Sequence, residues 1–266
     1  MDVSRFGMEY NPFLKNSKEV LVETAQYREV LFRLSYLEKT KGFGLLTGGP
    51  GRGKTTALRG WAASLNPSLY KVVCSCLSTL TVTDFYRSLT EALGGQPSFR
   101  KPDNFRSIQE EIKRLSLEKK KTPVIIIDEA NYVSNGILND LKLLFNFEMD
   151  SKDRAVILLC GLGQLNNTLR LSVHEPLRQR LVMNFHMEGM TKEEGREYIR
   201  TKLHGAGCSH TVFEDAAVEA ILNASDGTPR MVNRLCSQSL LCAEAKRRDL
   251  VDADAAMQAI NDCELG

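Results

Sequence analysis

Along the first two thirds of the chain, short apolar runs alternate with stretches in which apolar residues recur at helical spacing. Val124–Ile127 is entirely β-branched, which is typical of a central strand in a parallel sheet. Strands that alternate with helices predict an α/β fold with a parallel sheet. The predicted strands are Gly42–Thr47, Tyr70–Cys76, Val124–Ile127 and Ala155–Cys160, the predicted helices Ser17–Lys39, Thr55–Leu65, Thr83–Leu93, Phe105–Lys120 and Asn139–Phe147, and Gly94–Asn104 is a predicted loop.

The pattern changes near residue 185, and from Thr191 onward only helical spacing is present. Glycines separate the predicted helices Lys192–His204, Glu214–Asn223, Pro229–Arg247 and Ala253–Asp262. The chain is therefore predicted to comprise an N-terminal segment and helix (1–40), an α/β nucleotide-binding domain (41–186) and a small all-helical domain (187–266).

The composition of the 266-residue chain is that of an ordinary soluble protein, and its formal net charge is only +2. Any basic surface for nucleic acid must therefore be local. No apolar stretch is long enough to span a bilayer, and the N-terminus lacks the apolar region of a signal peptide. The seven cysteines show no paired C-x-x-C spacing. We interpret them, including Cys74 and Cys76, as buried hydrophobic residues, and we expect a reducing, cytoplasmic location without membrane contact.

A glycine-rich loop follows the first predicted strand and precedes a helix. Residues Gly48, Gly49, Pro50, Gly51, Arg52, Gly53, Lys54 and Thr55 fit the pattern G-x-x-x-x-G-K-[ST], and Thr56 continues it. The glycines allow backbone N–H groups to point at phosphate oxygens, and the helix that follows adds its positive N-terminal end. Lys54 is expected to reach the β- and γ-phosphates, while the Thr55 hydroxyl is expected to ligate Mg²⁺. The loop predicts an ATP site.

Two carboxylates, Asp128 and Glu129, follow the buried run Val124–Ile127. The carboxyl end of a parallel strand is where α/β sheets bind ligands. Asp128 is therefore predicted to orient the Mg²⁺ shell with Thr55. Glu129 is predicted to polarise the water that attacks the γ-phosphate, which makes the chain a hydrolase.

These motifs, with a helical C-terminal domain, resemble an AAA+ ATPase with a P-loop NTPase fold and a small helical lid. Further short motifs occur in order and resemble the ExeA/TnsC-like branch of AAA+ proteins over about residues 6–260. This branch includes transposition helper ATPases such as TnsC, MuB and IstB, and secretion-associated ATPases. The motifs are Tyr10–Phe13 (YNPF), Leu177–Leu181 (LRQRL), Gly205–Gly207 (GAG), Gly227–Arg230 (GTPR) and Asn233–Cys236 (NRLC).

The resemblance implies three further features of the site. One arginine of LRQRL, with Arg180 as first choice and Arg178 as second, resembles the arginine finger that a subunit donates to its neighbour's γ-phosphate. Arg230 resembles the sensor-2 arginine of the lid, which touches the nucleotide. A polar sensor-1 residue is expected after Ala155–Leu159, but the sequence there reads Cys160 to Gln164 (CGLGQ). This departure leaves sensor-1 unassigned and predicts slow hydrolysis.

The resemblance also implies a function in DNA transposition. Such proteins assemble with ATP into rings or helical filaments on duplex DNA, without sequence specificity, and recruit a transposase and in some cases a target-selection protein. The loop containing Arg100, Lys101 and Arg106, joined by Thr79, is the best local candidate for phosphate contacts. Two alternatives stay open, namely an ExeA-like secretion ATPase and an AAA+ switch that does not bind DNA.

Overall fold

A computed structural model describes residues 3–75, 81–148 and 151–264. The chain forms two compact units, which are described separately below. The sheet unit comprises Glu29–Pro50 and Lys54–Met187, and the helical unit comprises Met1–Arg28, Gly51–Gly53 and Glu188–Gly266. The tip of the glycine-rich loop therefore belongs to the helical unit, whereas the rest of the loop belongs to the sheet unit.

The sheet unit is built on five parallel strands in the order β2-β3-β4-β1-β5. The three central strands consist of small, β-branched and other apolar residues and are buried on both faces, as the sequence predicts. All carboxyl ends lie at one edge of the sheet, because every strand pair is parallel. The strands are β1 (Gly42–Gly48), β2 (Tyr70–Ser75), β3 (Thr122–Ile127), β4 (Val156–Gly161) and β5 (Leu181–Met187).

Helices connect these strands, and their apolar sides form one core with the sheet. Side-chain caps at Thr81 and Ser134 satisfy N–H groups in the first turns of two of them. A π-helical turn, Arg114–Glu118, extends one helix. The helices are α1 (Ala25–Thr40, which the division between units crosses), α2 (Lys54–Ser64), α3 (Val82–Leu93), α4 (Lys101–Lys113), α5 (Asn135–Leu144), α6 (Gln164–Arg170) and α7 (Glu175–Arg178).

The helical unit contains the N-terminal segment and four helices around a second core. The helices are α8 (Lys192–Gly205), α9 (Asp215–Ser225), α10 (Pro229–Ala245) and α11 (Ala253–Cys263). Phe6 and Phe13 are buried in this core, which explains why the segment packs here. One isolated β-bridge, between Phe213 and Val251, is present in addition to the helices.

The predicted fold class is confirmed, but several local predictions are wrong. Strand β5 and the short helices α6 and α7 were not predicted. Residues 18–24 are not helical, and α4 begins at Lys101 inside the predicted loop. Cys74 is exposed rather than buried, and Cys76 lies outside the described residues. Within the described part of the chain, no helix has the length and apolar character needed to cross a membrane.

Candidate nucleotide site

The glycine-rich loop connects β1 to α2 and adopts backbone conformations that require glycine. Gly51 has φ +73° and Gly53 has φ +102°, both in the left-handed region. At Gly48, a Cβ atom would lie 2.6 Å from the carbonyl oxygen of Met187 on the neighbouring strand β5. A residue with a side chain would therefore push β1 and β5 apart at this edge of the sheet.

Lys54 begins α2, and its side chain turns back into the loop. It is only 9% exposed, and its Nζ donates to the carbonyl oxygens of Gly48 at 2.8 Å and Gly49 at 2.9 Å. These bonds hold the ammonium group inside the loop, beside the N–H groups of the first turn of α2. An anion at this place would meet both the charge of Lys54 and the positive end of the helix.

Thr55 and Asp128 lie next to each other, as the sequence predicts for a shared metal ion. The Thr55 hydroxyl donates to Oδ2 of Asp128 at 3.3 Å. A hydroxyl and a carboxylate are oxygen ligands of the kind that Mg²⁺ prefers, so the residues present fit a magnesium ion. No cluster of three or more His, Cys, Asp or Glu suited to a metal occurs among the described residues. With a nucleotide bound, phosphate oxygens and waters would complete the shell.

Glu129 has an unusual backbone conformation for a residue with a side chain. Its φ is +52° and its ψ is +36°, and its N–H donates to Oδ1 of Asp128 at 2.9 Å. A non-glycine residue in the left-handed region costs of the order of 1–3 kcal/mol, and such residues cluster at functional sites. The turn leaves the Glu129 side chain exposed directly beside Asp128, where it can act on a bound water.

Cys160 is a site residue whose contact the sequence did not predict. It lies within β4, and its buried thiol contacts Asp128. Burial raises the pKa of the Cys160 thiol, and the neighbouring Asp128 carboxylate raises it further, so the group is a neutral donor. The residue that directly follows Ala155–Leu159 is thus a buried thiol within β4. Leu162 and Gln164 follow in the loop and at the start of α6.

A buried polar network joins the end of β1 to β5 and α6. The Thr47 hydroxyl is fully buried, accepts a bond from Asn166 Nδ2 at 2.9 Å and lies 3.0 Å from His186 Nδ1. Because Thr47 accepts from Asn166, its own proton can be donated to His186. The network fixes the residue that immediately precedes the glycine-rich loop, and the sequence analysis did not identify it.

Arg178 and Arg180 lie at and just beyond the end of α7, and both bind carbonyl oxygens at helix ends. Arg178 is exposed, and its Nη1 donates to Leu169 at 3.3 Å and to Arg170 at 3.0 Å. Arg180 is half-buried, and its Nη1 donates to Lys142 at 2.6 Å. Arg178 is therefore the more accessible of the two arginines.

Arg230 lies in the first turn of α10, behind Pro229 at a position where proline is well tolerated. Its N–H donates to the carbonyl oxygen of Gly51 at 3.3 Å. A Cβ on Gly51 would lie 2.7 Å from the Cβ of Arg230. The tip of the glycine-rich loop thus contacts Arg230, and Arg52 in the same tip bonds Asp226 at 2.9 Å.

The candidate DNA contacts differ from one another in their surroundings. Arg100 and Arg106 are exposed. Lys101 is held by an ion pair with Asp140 at 2.5 Å, and its Nζ lies 5.4 Å from the centre of the Tyr86 ring. This pairing makes Lys101 a poor candidate for a phosphate contact. Thr79 lies outside the described residues.

Comparison with known proteins shows which family and which relatives the chain matches. Residues 37–169 match the family model described as AAA domain. General secretion pathway protein A of Aeromonas hydrophila is 28% identical over 260 residues, which are 96% of this chain but only 47% of that protein. The chain therefore spans about half the length of this relative.

Two solved structures share the fold. Cdc6p from Pyrobaculum aerophilum has a TM-score of 0.69 and 14% identity, with 100% of this chain and 72% of that chain covered. The ORC1 protein of Aeropyrum pernix in complex with DNA has a TM-score of 0.63 and 19% identity, with 95% and 69% covered. At these identities the likeness concerns the fold alone.

Proposed function

Because the chain belongs to the AAA domain family, we propose that it is an ATP-hydrolysing switch that assembles with copies of itself on duplex DNA. The AAA+ fold implies nucleotide binding and ATPase activity in general. The observation that carries the proposed hydrolysis is the grouping of Thr55, Asp128 and Glu129 beside the Lys54 loop.

Each residue of this group has a distinct part in the proposed reaction. Gly48–Thr56 cradles the phosphates through N–H groups, and Lys54 neutralises the β- and γ-phosphates. Thr55 and Asp128 would hold Mg²⁺, which would offset phosphate charge when bound. Glu129 accepts a proton from the attacking water. The neutral thiol of Cys160, close to Asp128, takes the place of a polar sensor residue, in keeping with slow hydrolysis.

The contact of Arg230 with Gly51 supports a role as the lid arginine that touches the nucleotide, since it lies at the tip of the loop. Arg178 is the arginine we assign to a neighbouring subunit's γ-phosphate, because it is exposed whereas Arg180 is half-buried. Hydrolysis would then require a head-to-tail assembly, which closes into a ring or continues as a helical filament.

We assign the assembly to DNA transposition in the cytoplasm. It would bind duplex DNA without sequence specificity and recruit a transposase and, in some cases, a target-selection protein. Support comes from the ordered series LRQRL, GTPR and NRLC and from the exposed Arg100 and Arg106. A fold shared with a protein solved in complex with DNA is compatible with this assignment.

A second candidate function is favoured by a specific observation. General secretion pathway protein A of Aeromonas hydrophila matches 96% of this chain, which supports a role as the ATPase portion of a secretion-associated protein. The same nucleotide site would then drive a partner in the secretion pathway instead of assembly on DNA.

Two measurements test the proposed function. Lys54→Ala is expected to abolish nucleotide binding, whereas Glu129→Gln is expected to retain binding and lose hydrolysis. Light scattering with ATP or ADP, with and without duplex DNA at ~50 mM salt where phosphate contacts are strong, is expected to show assembly that requires both ATP and DNA. ATP hydrolysis without any association with DNA would instead favour the secretion role.

A further inference from the structure

The loop between α3 and α4 presents an aromatic side chain to solvent. Phe99 is 86% exposed, the highest value for a large apolar side chain in the described part of the chain. A single exposed apolar residue is common on protein surfaces and needs no explanation by itself. The surroundings of Phe99, however, are built to hold it in place.

Hydrogen bonds from two side chains hold the backbone on both sides of Phe99. Asn104 is 0% exposed, accepts a bond from the N–H of Ser98 at 2.8 Å and donates to the carbonyl oxygen of Ser98 at 2.8 Å. The N–H of Arg100 donates to the Ser98 hydroxyl at 3.1 Å. Phe99 therefore stands between two residues with satisfied backbone groups, so a ligand need not order this loop.

One arginine lies over the exposed ring, and another follows it in the chain. The guanidinium carbon of Arg87, on α3, lies 4.9 Å from the centre of the Phe99 ring. Arg100 and Arg106 are exposed, and neither side chain has an ion pair with another described residue. We call Phe99, Arg87 and Arg100 the Phe99 platform. It combines a flat apolar surface with positive charge.

A ligand that matches the platform must combine negative charge with a flat apolar face. A DNA base that is not stacked on its neighbours has both properties, because its π-face is available and phosphates flank it. A perfect duplex offers the phosphates but hides the faces of its bases. An aromatic side chain beside arginines could also anchor a protein, but the positive charges of Arg87 and Arg100 favour a polyanion.

We propose that the Phe99 platform stacks on an unpaired or unstacked base, so that the chain prefers distorted DNA to perfect duplex DNA. This inference rests on the proposed function, since it requires that the chain bind DNA. It adds a preference that phosphate contacts alone do not provide, because phosphate contacts are the same for paired and unpaired sites.

The test compares two DNA probes with ATP present at ~50 mM salt. One is a perfect duplex containing the fluorescent base 2-aminopurine, and the other carries the same base in a short bulge. Stacking on an aromatic side chain contributes about 1–3 kcal/mol per base, which corresponds to about 5- to 150-fold tighter binding of the bulged probe. The fluorescence of the bulged base should also fall when the protein binds.

Three variants make the test specific. Phe99→Ala is expected to bind both probes equally and to leave the fluorescence unchanged, whereas Phe99→Trp, which keeps an aromatic ring, is expected to behave like the parent. Phe32→Ala is the matched control, because Phe32 on α1 is also highly exposed, at 72%. Phe32→Ala should alter neither the preference for the bulged probe nor the fluorescence change.

The outcomes separate the inference from the proposed function. If Phe99→Ala keeps the preference and the fluorescence change, the inference is overturned and Phe99 becomes a candidate anchor for a protein partner. If the parent binds both probes equally, the inference fails while DNA binding stands. A parent protein that binds neither probe overturns the proposed function together with the inference.

Discussion

His174 is a buried histidine that should make the stability of the protein depend on pH. It is 0% exposed and lies immediately before α7, which carries Arg178. Its Nε2 lies 2.9 Å from Oδ1 of Asn135. An amide oxygen accepts hydrogen bonds, so Nε2 must carry the proton. Nδ1 is buried and has no hydrogen-bond partner among the described residues. The imidazole is therefore held in its neutral form.

The direction of the pH effect follows from this geometry. Burial lowers the pKa of His174, and the positive charge of Lys142 lowers it further. The unfolded chain takes up a proton near the ordinary histidine pKa of about 6.5, whereas the folded chain takes it up only at lower pH. The stability contributed by neutral His174 is thus fully present above about pH 6.5. It is lost as the pH falls toward the lowered pKa of the folded state.

Two substitutions of His174 give different expected results. His174→Gln keeps an N–H donor for Asn135 and removes the titration. His174→Ala removes the donor as well, and it should lower the free energy of unfolding by about 1 kcal/mol for the bond and a further ~1–3 kcal/mol for the cavity. Urea unfolding at about pH 7.5 and at about pH 5.5, on either side of the ordinary histidine pKa, measures the free energy of unfolding of each protein.

The parent should lose more stability than His174→Gln as the pH falls through this range. His204→Gln is the matched control, because His204 is exposed and near the end of α8, and it should follow the parent. Equal slopes for the parent and His174→Gln would refute the argument, since they would mean that the buried imidazole takes up its proton as readily as in the unfolded chain.

Two further predictions concern the arginine motif and the loop. Arg178→Ala should retain ATP binding and lower assembly-dependent hydrolysis by about 10²-fold or more in a steady-state ATPase assay. Arg180→Ala should mainly lower the melting temperature. The reverse pattern would exchange the roles of the two arginines. Gly48→Ala should lower the free energy of unfolding by about 1–3 kcal/mol, because its Cβ would meet the Met187 carbonyl at 2.6 Å. Gly163→Ala, whose Cβ would meet only ordinary contacts, should change the free energy of unfolding by less than ~1 kcal/mol.

The features that the sequence predicts well depend on contiguous residues. The glycine-rich loop needs only its own spacing and the strand and helix on either side of it. Asp128 and Glu129 directly follow a run whose apolar, β-branched character identifies a central strand. The residues of these motifs are neighbours in the chain, so their relation does not depend on how the rest of the molecule folds.

The predictions that failed depend on contacts between distant residues. Strand β5 is an edge strand with polar residues such as Asn184 on its exposed positions, so it lacks the uniformly apolar character of the central strands. Residues 18–24 were predicted to be helical because Val22 stands three residues before Ala25, yet Val20 packs against Gly205. Tertiary packing overrides local preference in both cases.

The contact of Cys160 with Asp128 is set by the register of β4 against β3, which no local pattern reveals. A single buried cysteine also resembles any small apolar core residue. The difference in exposure between Arg178 and Arg180 depends on the short helix α7, which the sequence analysis did not predict. The phosphate loop and its carboxylates could therefore be predicted from the sequence, whereas the proximity of Cys160 to Asp128 and the choice between Arg178 and Arg180 could not.

The central claim is that Glu129 of one subunit and Arg178 of the next act on the same ATP. Mixing two inactive variants tests this most directly. Glu129→Gln can still donate its arginine, and Arg178→Ala still has an intact carboxylate. In an equal mixture, about a quarter of the head-to-tail interfaces combine the two intact parts, so ATP hydrolysis should return to roughly that fraction of the parent rate. A mixture as inactive as either variant alone would contradict the account.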